Sequence, residues 1–216
     1  IINLKYNKGR RASGLKAYDK IFGYMSRIGF QNDYCSTAGF ARENPKNHKI
    51  VCDYGDKLGD LYSEMVPEMY DKHSKIVAEK VKPDWVLGNS PFTSGIINKN
   101  NQLNYHFDSG NFKDVFSNMI AFRSKIEGGR LSIPEYDIGL EIDDSTVTLF
   151  DGQKILHGVT PIKYLSPESY RFTIVYYSLQ QMWKCTSPKE ELERIKRVKT
   201  ERNQNRYRKM QNGEHQ

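Results

Sequence analysis

Apolar positions along this chain change their period twice. Between Asp56 and Lys80, Leu58, Leu61, Met65, Met69, Ile76 and Val77 recur at mostly helical spacing, which predicts helix. Pro67 interrupts that stretch and Glu68 falls in a restarted first turn; a second break is expected at Pro83. From Trp85 the pattern becomes short apolar runs divided by Gly, Asn, Asp and Pro: Trp85–Leu87, Gly95–Ile97, Val115–Phe122, Leu131–Ile133, Ile138–Ile142, Val147–Phe150, Ile155–Val159 and Phe172–Leu179. Their length and their β-branched and aromatic content predict strands, although Val115–Phe122 fits helix equally well. In Ile138–Ile142, Ile138, Leu140 and Ile142 face one way and Gly139 and Glu141 the other. Many short strands with turn signals imply an antiparallel sandwich or open barrel.

The flanks read differently. Residues 1–54 lack periodicity apart from a weakly helical patch around Leu15 to Met25, and glycines stand at 9, 14, 23, 29 and 39. After Trp183 the strand pattern stops. Pro188 followed by Glu190, Glu191 and Glu193 resembles a helix start, with a thin stripe of Leu192, Ile195 and Val198 or Lys199. Beyond Thr200 the chain is almost wholly polar, and fraying or disorder is expected. The expected division is an irregular and helical region at 1–84 packing on the core, a mainly β core at 85–183, and a basic helix and tail at 184–216.

Composition narrows the class. Aromatics reach 12% of 216 residues, so the core should be aromatic-rich, and the length suits one domain with extensions. The net charge of +7 is concentrated at the ends. Ile1 to Phe30 carries seven Lys or Arg against Asp19 alone, and Lys184 to Gln216 carries ten against five acids. Such ends attract polyanions, and basic tails also serve as plain solubilising segments. Cys35, Cys52 and Cys185 match no paired zinc spacing, and their odd count suggests reduced thiols rather than a disulfide scaffold. No apolar run approaches a membrane span. The chain opens on Ile1 rather than Met, so a trimmed start is the expectation.

Candidate chemistry centres on His106–Phe107–Asp108. Alternate residues of a strand face one side, so this spacing offers an imidazole and a carboxylate to one point. His157, in Ile155–Val159, is the third candidate. Two imidazoles and one carboxylate on one face of an octahedral ion leave three positions open, the arrangement of non-haem iron(II) oxygenases. Arg171 opens a strand fourteen residues later, where a guanidinium can grip a carboxylate through two parallel bonds, and Thr173 lies on its face. Gly128–Gly129 and Phe150–Asp151–Gly152–Gln153 read as turns that return the chain toward His106. His48 and His73 read as ordinary surface residues, and His215 lies in the tail.

The motifs NYHFDSGN at 104–111, GGRLSIPEYD at 128–137, TVTLFDGQKILHGVTPI at 146–162 and YRFTIVYYS at 170–178 are similar to the core of the TET/JBP branch of 2-oxoglutarate and iron(II) dioxygenases. The resemblance covers roughly Pro91 to Trp183. It implies a double-stranded β-helix, or jelly-roll, core with flanking helices. It also implies hydroxylation of the methyl group of thymine or 5-methylcytosine in DNA. His106, Asp108 and His157 match the iron ligands, and Arg171 matches the arginine that binds the 2-oxoglutarate carboxylate. Thr173 and Asn98 join that co-substrate set, with O2 as the third reactant. Asn111 falls where the branch often has an Asn after its ligand pair. The resemblance omits the cysteine-rich zinc region of animal members and the long base-binding insertion of trypanosome members, so a compact microbial or phage type is expected. A cytoplasmic place follows in such a cell, or a nuclear one in a eukaryote.

A base must leave the DNA stack to reach a buried metal. Phe92, Tyr105, Phe107 and Tyr136 are candidates for its aromatic platform, although such side chains are commonly core. Asn100 and Asn111 are candidates for polar substrate contacts. Arg10, Arg11, Arg194 and Arg197 are candidates for phosphate. Two alternatives stand beside this: hydroxylation of a free nucleotide, amino acid or protein side chain, and a nucleic-acid-binding module without turnover. Intact His106, Asp108, His157 and Arg171 weigh against the latter.

Overall fold

The computed structural model describes residues 18–26 and 33–212. Its central element is a six-stranded sheet in the order β2-β1-β3-β11-β4-β8. These strands are β1 (Tyr18–Ser26), β2 (Cys35–Thr37), β3 (Ser94–Lys99), β4 (Ser117–Ser124), β8 (Val147–Phe150) and β11 (Tyr170–Tyr177). A three-stranded sheet joins β6 (Leu131–Ile133) to β7 (Ile138–Leu140) and β9 (Gly158–Val159), and a two-stranded sheet joins β5 (Ile126–Gly128) to β10 (Ile162–Tyr164). Every one of these strand pairings is antiparallel.

Four helices complete the chain: α1 (Gly39–Glu43), α2 (Pro45–Met65), α3 (Pro67–Lys80) and α4 (Pro188–Gln211). Pro67 stands at the first turn of α3, where its missing N–H costs nothing, so the break expected there is present. Helices hold more of the chain than strands do, and among the described residues no sheet closes on itself. The fold is therefore mixed α/β. The expected mainly β jelly-roll core is corrected. Two misjudged helices explain the error. α2 begins eleven residues before Asp56, capped by the Asn44 side chain. α4 continues to Gln211 through sequence read as frayed. The weakly helical patch at 15–25 is, over its described residues, strand β1, hydrogen-bonded to β3 in the same sheet as β11 and β4.

Strand β11 shows how the layers are built. It lies between β3 and β4, and its side chains alternate between two environments. Arg171, Thr173, Val175 and Tyr177 line a cavity on one face. Ile174 and Tyr176 join Phe22, Leu58, Tyr62 and Phe92 in an aromatic core on the other, beneath α2. Tyr62 and Phe92 stack there with centroids 6.4 Å apart, and Tyr176 donates its hydroxyl to the Val51 carbonyl at 2.6 Å. On the cavity side, Met119, Ala121 and Phe150 of the large sheet pack against Leu131 and Ile142.

Cys35 and Cys185 form a disulfide, which corrects the expectation of reduced thiols; Cys52 is free. The bond joins β2 to the segment before α4, inside a cluster with Trp85, Phe112 and Met182. His73 is also misread as a surface residue: it is fully buried, and its Nε2 lies 3.0 Å from the Ser178 hydroxyl. His48 is half-buried and accepts the Gly23 N–H at 3.0 Å. Among the described residues no helix is long and apolar enough to cross a membrane.

Candidate metal centre and co-substrate pocket

His106 and His157 meet as a two-residue antiparallel bridge rather than within long strands. Each backbone N–H donates to the other's carbonyl, at 2.9 and 3.1 Å. The two rings are thereby held with centroids 4.3 Å apart. Asp108, two residues on, ties its N–H to the Gly152 carbonyl at 2.8 Å and so faces the same point. Its Oδ1 lies 3.5 Å from His106 Nε2 and 4.0 Å from His157 Nε2. One ligand atom from each of the three residues falls within 4.8 Å of the others.

The tautomers suit a cation. His106 Nδ1 donates to the Asn104 carbonyl and His157 Nδ1 to the Ile155 carbonyl, both at 2.8 Å. A carbonyl only accepts, so each Nδ1 carries the proton and each Nε2 presents a lone pair. Burial also holds His157 below its ordinary pKa, with Asp108 and the Ile155 carbonyl acting against that shift. Two neutral imidazoles and one carboxylate form a facial donor set consistent with iron(II). Gly152 makes room for the third ligand: a Cβ there would sit 3.1 Å from Asp108 Cγ and inside contact of Oδ2.

The triad opens into a cavity of about 240 Å³ between the six-stranded and three-stranded sheets. Arg171 lines it, 2% exposed, and its Nε has no hydrogen-bond partner. Burial and the neighbouring Arg123 lower its pKa to about 10, so it remains a cation near neutrality. A buried guanidinium of this kind requires an anion. Gly129, at φ +70°, supports it: a Cβ there would press on Arg171 Cδ and Nε at 3.2 Å.

The remaining candidates divide. Asn98 and Thr173 line the cavity and share a hydrogen bond at 3.4 Å; Asn111 also lines it. Asn100 does not. It turns the chain at φ +53° and accepts the Arg171 N–H at 3.0 Å, which positions the arginine from outside. Phe92 belongs to the aromatic core, on the far face of the sheet. Tyr105 hydrogen-bonds the Ser132 hydroxyl at 2.9 Å, and Phe107 and Tyr136 are exposed surface rings. None of these four rings, proposed from sequence as an aromatic platform, lines the cavity. Arg194 lies against Glu191 at 3.5 Å, and Arg10, Arg11 and His215 lie outside the described residues.

Besides Phe150, which also lines the cavity, Tyr177 is the ring that sequence reasoning missed. It lines the cavity, and burial, reinforced by the charge of Asp108, holds its phenol well above the ordinary range. The alternation that linked Arg171 to Thr173 reaches Tyr177 four residues further on. Asn101 was missed as well; it donates to Asn98 Oδ1 at 3.2 Å and leaves its own Oδ1 buried without a partner.

Residues 21–180 match the family Tet_JBP, described as the oxygenase domain of the 2OGFeDO superfamily. The chain belongs to this family. It is 22% identical over 192 residues to thymine dioxygenase JBP1 of Trypanosoma brucei brucei, covering 88% of this chain and 22% of that protein. It is 25% identical over 146 residues to the bifunctional helicase and thymine dioxygenase JBP2 of Trypanosoma brucei brucei strain 927/4 GUTat10.1, covering 66% of this chain and 13% of that protein. The chain thus spans less than a quarter of either relative. Among solved structures it is similar to NgTET1 in complex with 5mC DNA, with a TM-score of 0.63 and 14% identity over 83% of this chain and 69% of that one. That likeness is one of fold. The family matched is broader than a compact microbial or phage subtype.

Proposed function

We propose that this Tet_JBP oxygenase domain is an iron(II)- and 2-oxoglutarate-dependent dioxygenase that hydroxylates the methyl group of thymine or 5-methylcytosine in DNA. One observation carries the reading: the His106–Asp108–His157 donor set and the buried Arg171 guanidinium, whose Nε lacks a hydrogen-bond partner, open into one cavity. His106, Asp108 and His157 would hold the iron, which supplies the activation of O2. Arg171 would bind the 5-carboxylate of 2-oxoglutarate, with Thr173 and Asn98 beside it. The overall reaction consumes the methyl compound, O2 and 2-oxoglutarate and yields the hydroxymethyl compound, succinate and CO2.

The protein's own part is positioning and exclusion of water. Asn104 and Ile155 carbonyls fix the imidazole tautomers, and Gly129 and Asn100 fix the arginine. Asn111 and Tyr177 offer an amide and a phenol to an extruded base. The relatives named thymine dioxygenase support a methylated pyrimidine, and the fold shared with NgTET1 supports DNA as its carrier.

The test is incubation of the iron-loaded protein with thymine-containing or 5-methylcytosine-containing DNA, 2-oxoglutarate and ascorbate, followed by digestion and mass spectrometry of nucleosides. A hydroxymethyl nucleoside is expected. Its absence on single- and double-stranded DNA, with iron bound, overturns the DNA reading. Succinate release with a free nucleotide or amino acid and not with DNA would move the same chemistry to a small substrate.

A further inference from the structure

The root of α4 is fixed with unusual redundancy. Ser187 and Glu190 form a reciprocal capping box. Glu191, 1% exposed, accepts the Cys35 N–H at 2.8 Å and both the N–H and the hydroxyl of Thr186 at 3.0 Å. The Cys35–Cys185 disulfide lies just before the cap, and Trp85 Nε1 donates to the Thr186 carbonyl at 2.7 Å. A helix so anchored points in one direction.

Its distal half is exposed over its whole length. Val198 is the last buried residue, and every residue from Lys199 to Gln211 is exposed. At 1.5 Å per residue this is an arm of about 20 Å. Tyr207 and Met210 are the large apolar side chains on this arm, and both are exposed, so it carries no continuous apolar stripe that would dock it on a core.

The seam of the helix changes character without changing register. Glu191, Ile195 and Val198 form the face set against the body, being buried, half-buried and buried. The same alternation of four- and three-residue steps continues to Arg202, Asn205 and Lys209, with Arg206 beside them. The face that packs at the root is therefore cationic along the arm. From Lys199 to Gln211 there are five basic residues (Lys199, Arg202, Arg206, Arg208 and Lys209) and one acid, Glu201. Arg197, by contrast, does not share this seam.

We infer that the exposed half of α4 is a nucleic-acid-binding arm, which grips the phosphate backbone of duplex DNA through Arg202, Arg206 and Lys209. Charge complementarity selects the occupant, because a backbone of regularly spaced anions matches a cationic row of this length. The helix follows in the chain shortly after β11, the strand that carries Arg171 and Tyr177. The inference rests on the proposed DNA substrate for its biological sense, but its test does not require turnover.

Binding of a fluorescently labelled duplex is measured by anisotropy across a salt series, with no iron or 2-oxoglutarate added. The Arg202→Glu/Arg206→Glu/Lys209→Glu protein should bind at least about tenfold more weakly, with the slope of log affinity against log salt shallower by about 2 to 3. Circular dichroism checks the helix. If the reversed charges unwind it, Arg202→Gln/Arg206→Gln/Lys209→Gln gives the same comparison with neutral side chains. A matched reversal at exposed Lys46, Lys75 and Lys80 should leave affinity within about threefold of the parent. Equal losses in the two reversals, no loss in the arm variant, or equally tight arm-dependent binding to phosphatidylserine vesicles would overturn the arm as a DNA contact. Arm-dependent binding without any hydroxymethyl product would uphold the arm and remove the DNA hydroxylase reading instead.

Discussion

Replacing Gly152 with alanine should disable the metal centre without unfolding the protein. The added Cβ would lie 3.1 Å from Asp108 Cγ, against an ordinary contact of 3.4 Å or more, and would intrude further on Oδ2. The carboxylate must then withdraw by about 0.3 Å at Cγ and by more at its oxygen. Metal–ligand distances tolerate only about ±0.2 Å, so the third ligand is lost or distorted. Displacing a group that holds a ligand costs about 10- to 100-fold in metal affinity, and this change acts on the ligand itself. Anaerobic titration with iron(II), or with cobalt(II) followed by its visible spectrum, measures the loss. Thermal denaturation of the metal-free protein should move by no more than about 4 °C, the equivalent of about 1 kcal/mol. The double variant Asp108→Ala/Gly152→Ala should bind metal no more weakly than Asp108→Ala alone, because both changes act through one carboxylate. Parental affinity in Gly152→Ala, or additive losses in the double variant, would refute the reasoning.

Three other outcomes follow from the same structure. Arg171→Met should weaken 2-oxoglutarate binding by about 2–5 kcal/mol in calorimetry of the metal-loaded protein, and Arg171→Lys should restore only part of it; unchanged affinity would remove Arg171 from the co-substrate site. Burial lowers the His73 pKa to about 3, so the folded state holds it neutral while the unfolded chain protonates near 6.5. Its contribution is complete above pH 6.5 and is lost as pH falls toward 3, by up to about 1.4 kcal/mol per pH unit. Urea unfolding between pH 7.5 and 4.5 should show this slope, and His73→Phe should reduce it. Cys35→Ser/Cys185→Ser should cost about 2–5 kcal/mol of stability, since the bond closes a 150-residue separation, and an unchanged melting temperature would contradict it.

The candidate site was more legible in the sequence than the fold around it. His106 and Asp108 are two residues apart, and two residues is the interval at which extended chain repeats its direction. His157 and Arg171 stood out through residue chemistry, since the chain holds five histidines and Arg171 opens a strand fourteen residues after one of them. Local patterns carry less information about the layers. Residues 45–55 have too weak an apolar stripe to announce the first half of α2, whose burial begins only at Gly55. The arm of α4 buries nothing beyond Val198, so its helical state left no hydrophobic period to detect. Strand β1 was hidden because Tyr18–Ser26 mixes polar and apolar residues on both faces, while its pairing with β3 comes from residues over seventy positions away. The disulfide was invisible for a similar reason: Cys35 and Cys185 meet only after the sheet and the last helix are assembled. Phe92, near the ligands in sequence, falls in the core, whereas strand direction brings Tyr177 to the cavity.

The two-sided character of β11 makes it a ladder whose rungs have separate owners. Substitutions at 173, 175 or 177 can retune what the pocket accepts while 174 and 176 keep the hydrophobic interior intact. Adding or deleting a single residue ahead of Arg171 would instead exchange the owners, sending the guanidinium into oil and an aromatic ring toward the metal. Evolution along this strand is therefore free in side chains and closed to changes of length.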